Sequence, residues 1–196
     1  VIGEQTAESQ SHDSTDKNVF IGYQACTGGT GSRSESIAIG YQAWGNGGSS
    51  NNIGGAENVF IGSESGGGTW ATAASDGNTA VGWNTMKGAM NGATLNTALG
   101  KNALKSLTTG DYNVVLGSRS GEDLTTGQLN TFVGDYAGHT TTDVDKAVAI
   151  GHESMGSGNV TSSGDGTVSI GYQALSVLTS GASNTAVGYR TLKLET

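Results

Sequence analysis

The chain has 196 residues, with 34 glycines, no proline, one cysteine and a formal net charge of −8. Nine scattered basic residues exclude the Lys/Arg-rich face that nucleic acid needs, and equally a surface for docking on anionic lipid. A lone Cys26 excludes an intrachain disulfide, and no apolar run is long enough to insert in a bilayer.

In chain order one word recurs, anchored on a glycine. A copy cut at its front, "VIGEQT", surrounds Gly3. Ten complete copies follow, at Gly22 (NVFIGYQA), Gly40 (SIAIGYQA), Gly62 (NVFIGSES), Gly82 (NTAVGWNT), Gly100 (NTALGKNA), Gly117 (NVVLGSRS), Gly134 (NTFVGDYA), Gly151 (AVAIGHES), Gly171 (TVSIGYQA) and Gly188 (NTAVGYRT). The spacings are 19, 18, 22, 20, 18, 17, 17, 17, 20 and 17 residues. Self-similarity at such a period marks a solenoid, in which each repeat is one coil stacked on the next. The repeats run from end to end, so residues 1–196 are read as one all-β domain of ten to eleven coils.

The residue before each glycine is Ile, Val or Leu; three before it stands Val, Ile or Thr. These β-branched and aliphatic positions predict a short strand. Alternation puts them on one face, taken to look into the coil. The glycine is a corner, and Ala, Ser or Thr three residues later marks the return to the interior, followed by a second, shorter strand and a turn-rich loop such as "LTTGDYN".

The position two before glycine then points outward. It reads Phe20, Ala38, Phe60, Ala80, Ala98, Val115, Phe132, Ala149, Ser169 and Ala186, almost wholly apolar. A strand apolar on both faces is buried on both, so this stripe predicts an oligomer with the nine apolar members at a shared axis. Asparagine opens seven copies (Asn18, Asn58, Asn78, Asn96, Asn113, Asn130 and Asn184), which reads either as a turn residue that tolerates the left-handed region or as a stacked amide ladder between coils.

At these residues the chain resembles the head repeats of YadA-type trimeric autotransporter adhesins, and similar "NTAVGYQAL…TTG" arrays of bacteriophage tail fibres. The resemblance covers essentially the whole chain. It implies a left-handed parallel β-roll, a homotrimer, and an extracellular place on a virion or bacterial cell surface, joined to other segments of a longer fibre.

Motifs for catalysis are absent: there is no G-x-S-x-G, P-loop or H-E-x-x-H pattern. "GHES" at 151–154 is a copy of the repeat, His12, His139 and His152 lie far apart, and no cofactor is implied. Asp143 and Asp145 could hold Ca²⁺ with carbonyls but read more simply as a solvated loop. Recognition has two supports. Tyr23, Tyr41, Trp83, Tyr172 and Tyr189 follow the corner and point outward, where rings beside polar groups suit a glycan or protein receptor. Insertions at 44–57, 66–77 and 155–166 fall on loops, with Trp44 and Trp70 as the leading ligand contacts. The function expected is a non-enzymatic fibre segment that attaches to a host receptor or matrix. The alternatives are a purely structural decoration or filament subunit, and a fibre-borne polysaccharide depolymerase.

Overall fold

The computed structural model describes residues 2–6, 17–28, 33–45, 54–70 and 73–193. Its strands are β1 (Val19–Ile21), β2 (Arg33–Ser34), β3 (Ile37–Ile39), β4 (Gly55–Ala56), β5 (Val59–Ile61) and β6 (Thr79–Val81), then β7 (Thr97–Leu99), β8 (Val114–Leu116), β9 (Thr131–Val133), β10 (Val148–Ile150), β11 (Val168–Ile170) and β12 (Thr185–Val187). Ten of them form one parallel sheet in chain order, β1-β3-β5-β6-β7-β8-β9-β10-β11-β12. The pairing never slips: Phe20 faces Ala38, then Phe60, Ala80, Ala98, Val115, Phe132, Ala149, Ser169 and Ala186. The chain is therefore a parallel β-solenoid. The copy around Gly3 joins it through a parallel bridge between Ile2 and Ile21.

The anchor glycines are corners for two reasons. Their φ angles lie between +125° and +140°, which side chains rarely adopt. From Gly3 to Gly171, a Cβ would also stand 2.2–2.7 Å from the carbonyl oxygen of the next coil's glycine. Consecutive corners are in backbone contact, so the glycine serves the stack as much as the turn.

Where a second strand was predicted, each coil instead makes a run of turns. The second and fourth residues after glycine take positive φ, as at Gln42 (50°) and Trp44 (50°) or Asn102 (59°) and Leu104 (49°). This alternation still aims successive N–H groups at neighbouring coils: Asn102 donates to Trp83 O at 2.9 Å and Leu104 to Ser120 O at 3.1 Å. The backbone stays paired without a pleat, which satisfies its polar groups as a ladder would. Only β2 and β4 form a second, two-stranded sheet among the described residues.

The inside and outside of the main strand are the reverse of the sequence expectation. Phe20, Ala38, Phe60, Ala80, Ala98, Val115, Phe132, Ala149, Ser169 and Ala186 are buried inside the single coil, each at most 3% exposed. The aliphatic residues on either side face outward: Leu99 is 51% exposed, Val114 42% and Val187 63%. The proposed axis residues are thus core residues, and the outer face belongs to the positions one and three before glycine.

The reason lies across the coil, at the fourth residue after glycine, which also points in. Where the strand residue is small that residue is large: Ala38 with Trp44, Ala80 with Met86, Ala98 with Leu104, Ala149 with Met155, Ser169 with Leu175. Where the strand residue is larger the partner shrinks: Phe60 with Gly66, Phe132 with Gly138, Val115 with Gly121, Phe20 with Cys26. A Cβ on Gly66 would lie 2.6 Å from Phe60 Cδ1, and one on Gly138 2.6 Å from Phe132 Cε2. Two positions six residues apart share one fixed volume, as close packing demands. The alanines are small to make room for a side chain of their own chain.

The loop-side interior is closed by the amide ladder. Asn78 Nδ2 donates to Asn58 Oδ1 at 3.3 Å, Asn96 to Asn78 at 3.1 Å, Asn113 to Asn96 at 2.9 Å and Asn130 to Asn113 at 3.0 Å. Each Oδ1 also accepts a backbone N–H from the next coil, ending at Ala147, whose copy lacks the asparagine. The same amides reach loop carbonyls such as Gly110 O and Val144 O. Asn18 and Asn184 are not in the ladder: Ser36 and Thr167 hold that place in the adjoining coils, so both amides bond to backbone instead.

Candidate functional site: the corner face

The turn run places three side-chain rows along the outside of the stack. The first residue after glycine forms a row with aromatic runs at both ends, the second a polar row, and the fifth a row that is charged in the middle coils, at Lys87, Lys105, Glu122 and His139. Because the corners are in register, like positions stand one coil apart: Gln42 N donates to Tyr23 O, Glu64 N to Tyr41 O, Asn84 N to Ser63 O and Gln173 N to His152 O.

The aromatic row carries Tyr23, Tyr41, Trp83, Tyr172 and Tyr189, all 39% exposed or more. Its rings lie on one another. Tyr23 and Tyr41 stack at 5.7 Å and 9°, His152 and Tyr172 at 5.4 Å and 15°, Tyr172 and Tyr189 at 5.3 Å and 11°. Lys101 Nζ sits 4.8 Å above the Trp83 ring, and the Arg190 guanidinium 5.4 Å from that of Tyr189. Stacked rings turn their edges to solvent, so a ligand meets a full ring face only where the run is interrupted. Ser63 makes such an interruption between Tyr41 and Trp83.

The polar row bonds along the stack. Gln24 donates to Gln5 at 2.9 Å and Gln42 to Gln24 at 2.7 Å; further on, Gln173 donates to Glu153, and Lys193 to Gln173 at 2.8 Å. Glu64 pairs with Lys87 of the next coil's charged row.

The charged row converges on Glu122, whose side chain is 11% exposed. Its Oε1 accepts from Asn102 Nδ2 and Lys105 Nζ, each at 3.2 Å. Its Oε2 lies 3.4 Å from His139 Nε2 and 3.7 Å from Arg119 Nε. Tyr136 leans on this cluster, with His139 at 5.1 Å and the Arg119 guanidinium at 5.4 Å. The cluster stitches three coils together. Sequence reading did not single out Glu122; the signal was its place five after a glycine, level with Lys105 and His139 of the adjoining copies.

Trp44 and Trp70 are not ligand contacts. Both are fully buried, packed on each other at 5.4 Å and on Phe60 at 5.4 and 5.6 Å. Trp70 Nε1 donates to Gly66 O at 3.2 Å, and the Arg33 guanidinium lies 5.0 Å from the Trp44 ring centroid. These tryptophans fill coils widened by insertion, so they respond to volume and not to a ligand. Burial lowers the Arg33 guanidinium from its ordinary value and pushes the Cys26 thiol up to about 12, partly opposed by the Arg33 charge. His12 and the insertion segments 46–53 and 71–72 lie outside the described residues.

Several acids serve the stack. Asp76 accepts Ala56 N–H, Asp111 that of Thr94, Asp145 that of Gln128 and Asp165 that of Asp145, at 2.6–2.8 Å. Asp143 accepts Ser162 N–H at 3.0 Å, so the Asp143/Asp145 pair is spent on backbone between coils. No group of three or more His, Cys, Asp or Glu side chains placed to hold a metal occurs among the described residues, and no helix there is long and apolar enough to cross a membrane. Comparison with protein-family models, curated proteins and solved structures finds no match.

Proposed function

We propose that this chain is a non-enzymatic segment of an extracellular surface fibre on a virion or bacterial cell. Three copies form a left-handed trimeric rod that attaches to a host glycan or protein receptor. The observation that carries the reading is the outer face of the ten-strand sheet. Its two rows are Val, Ile, Leu and Thr throughout: Val19, Ile21, Ile37, Ile39, Val59, Ile61 and onward to Thr185 and Val187. Ten three-residue strands, spaced about 4.8 Å apart, give a stripe of roughly 480 Å² in footprint. That lies in the range of the largest apolar patch a typical monomer exposes, about 300–600 Å², and patches of this size are often functional. A face this straight and unbroken suits burial against identical faces about one axis, and it leaves the corner rows outermost for recognition.

Light scattering on the purified protein measures the subunit number, and three is expected. Leu99→Asp with Leu116→Asp puts charges on the outer face without touching the coil interior, so the trimer should dissociate. A monodisperse single chain, or a double variant with unchanged mass, refutes the axis. Host-cell binding should fall with Tyr41→Ala and Trp83→Ala; binding that survives them refutes attachment through the corner, and a parent protein that binds no cells favours a purely structural subunit.

A further inference from the structure

Near the C-terminal end Tyr172 lies between two rings, His152 at 5.4 Å and Tyr189 at 5.3 Å, both within 15° of parallel. Nearer the N-terminus the same row holds the two outer members of such a stack and lacks the middle one. Tyr41 has one face on Tyr23, at 5.7 Å and 9°, so its other face looks toward the next coil. That coil contributes Ser63, and the coil beyond contributes Trp83, whose far face is covered by Lys101 Nζ at 4.8 Å. Backbone bonds from Glu64 N to Tyr41 O (2.8 Å) and Asn84 N to Ser63 O (3.0 Å) keep the three positions in line. Tyr41 and Trp83 are 49% and 45% exposed.

We propose that Tyr41 and Trp83 clamp one pyranose ring of a glycan above Ser63, a proposal that rests on the attachment reading and names its ligand class. Two coil spacings of about 4.8 Å set Tyr41 and Trp83 about 10 Å apart along the stack. A ring between them sits about 5 Å from each, within the usual range for stacked rings and as Tyr172 does in its own stack. The net charge of −8 disfavours a nucleotide, whose phosphates need a Lys/Arg-rich face. A glucose-configured pyranose carries axial C–H bonds on both faces and equatorial hydroxyls around its rim, so both aromatic faces meet C–H groups while the hydroxyls point sideways. Beside them runs the polar row, where Gln42 bonds Gln24 and Glu64 pairs with Lys87; with the Ser63 hydroxyl, these groups keep further donors and acceptors for a hydroxyl rim. A galactose- or mannose-configured ring places one axial hydroxyl against an aromatic face. The slot therefore selects glucose and N-acetylglucosamine configurations.

Cellotriose and chitotriose, titrated into the full purified protein with tryptophan fluorescence as readout, test the slot. Trp44 and Trp70 are buried, so the response reports Trp83. The expected result is saturable binding of at least one of the two probes, weaker by about tenfold or more for mannose- and galactose-configured trisaccharides. Ser63→Tyr supplies the missing ring from the chain itself. Tyrosine already stands at Tyr23, Tyr41, Tyr172 and Tyr189 in this row, so the variant should keep the fold, checked by circular dichroism and subunit mass, and lose the binding. Tyr41→Ala should weaken it. Absence of saturable binding by both probes, equal affinity for all three configurations, or a folded Ser63→Tyr protein that binds as before overturns the slot. Subunit mass and host-cell binding, measured on the same samples, separate the two ideas: a trimer that attaches to cells but binds neither probe sinks the slot alone, and a protein that binds a probe but not cells sinks attachment alone.

Discussion

Asn96 shows how much one residue can be asked to do. Its amide donates to Asn78 Oδ1 at 3.1 Å and Gly110 O at 2.8 Å, while its Oδ1 accepts both Asn113 N–H and Asn113 Nδ2 at 2.9 Å. Asn96→Ala strands a buried carbonyl and a buried N–H, each costing about 1–3 kcal/mol, so chemical denaturation should report a loss of roughly 2–5 kcal/mol. The same change at Asn184, half-buried at the end of the stack and outside the ladder, should cost far less. Cys26 gives a residue-scale prediction in pH. Its folded thiol is raised from 9.0 to about 12, so the unfolded chain releases that proton first. The thiol's contribution is complete below pH 9 and is lost as pH climbs toward 12; denaturation midpoints of Cys26→Ser and the parent should converge across that window. The thiolate is also the reactive form, so alkylation of Cys26 should be slow in the folded protein and fast after unfolding.

At the scale of the coil, the unit of packing is the pair across the interior. Ala80→Phe sets an aromatic ring against Met86 and should destabilise the protein by about 1–3 kcal/mol through overpacking. Adding Met86→Gly recreates the Phe60/Gly66 and Phe132/Gly138 arrangement, and glycine is at ease at the positive φ of 48° found there. A double-mutant cycle should therefore show strong favourable coupling, the double variant recovering most of the loss. Additive losses would mean that the two positions do not share volume. The pairing is written in the sequence as small–large alternation six residues apart, but the eye reads it only once the turn run is known to aim the fourth residue inward. A pleated second strand, which was predicted, would have sent that residue elsewhere.

For the whole molecule, each coil touches only its neighbours, so stability sums along the stack and need not be uniform. The amide ladder is unbroken from Asn58 to Asn130, and the spacings across Gly100 to Gly151 are a constant 17 residues. Amide hydrogen exchange should therefore be slowest in β7 to β10 and faster toward β1 and β12; uniform protection would contradict a nearest-neighbour stack. The sequence by itself determined that the chain coils, where each coil turns, that its strands run parallel in one register, that asparagines of adjoining coils stack and which rings stand outside the corner. These follow from repetition, because a residue type kept at one place in every coil must meet its own copies. Only the tertiary structure decided which strand face is the interior, that Trp44 and Trp70 are filling, and that Glu122 gathers Lys105, Arg119 and His139. Alternation separates two faces without ordering them: both are apolar here, and their order depends on side chains arriving from the far side of the same coil.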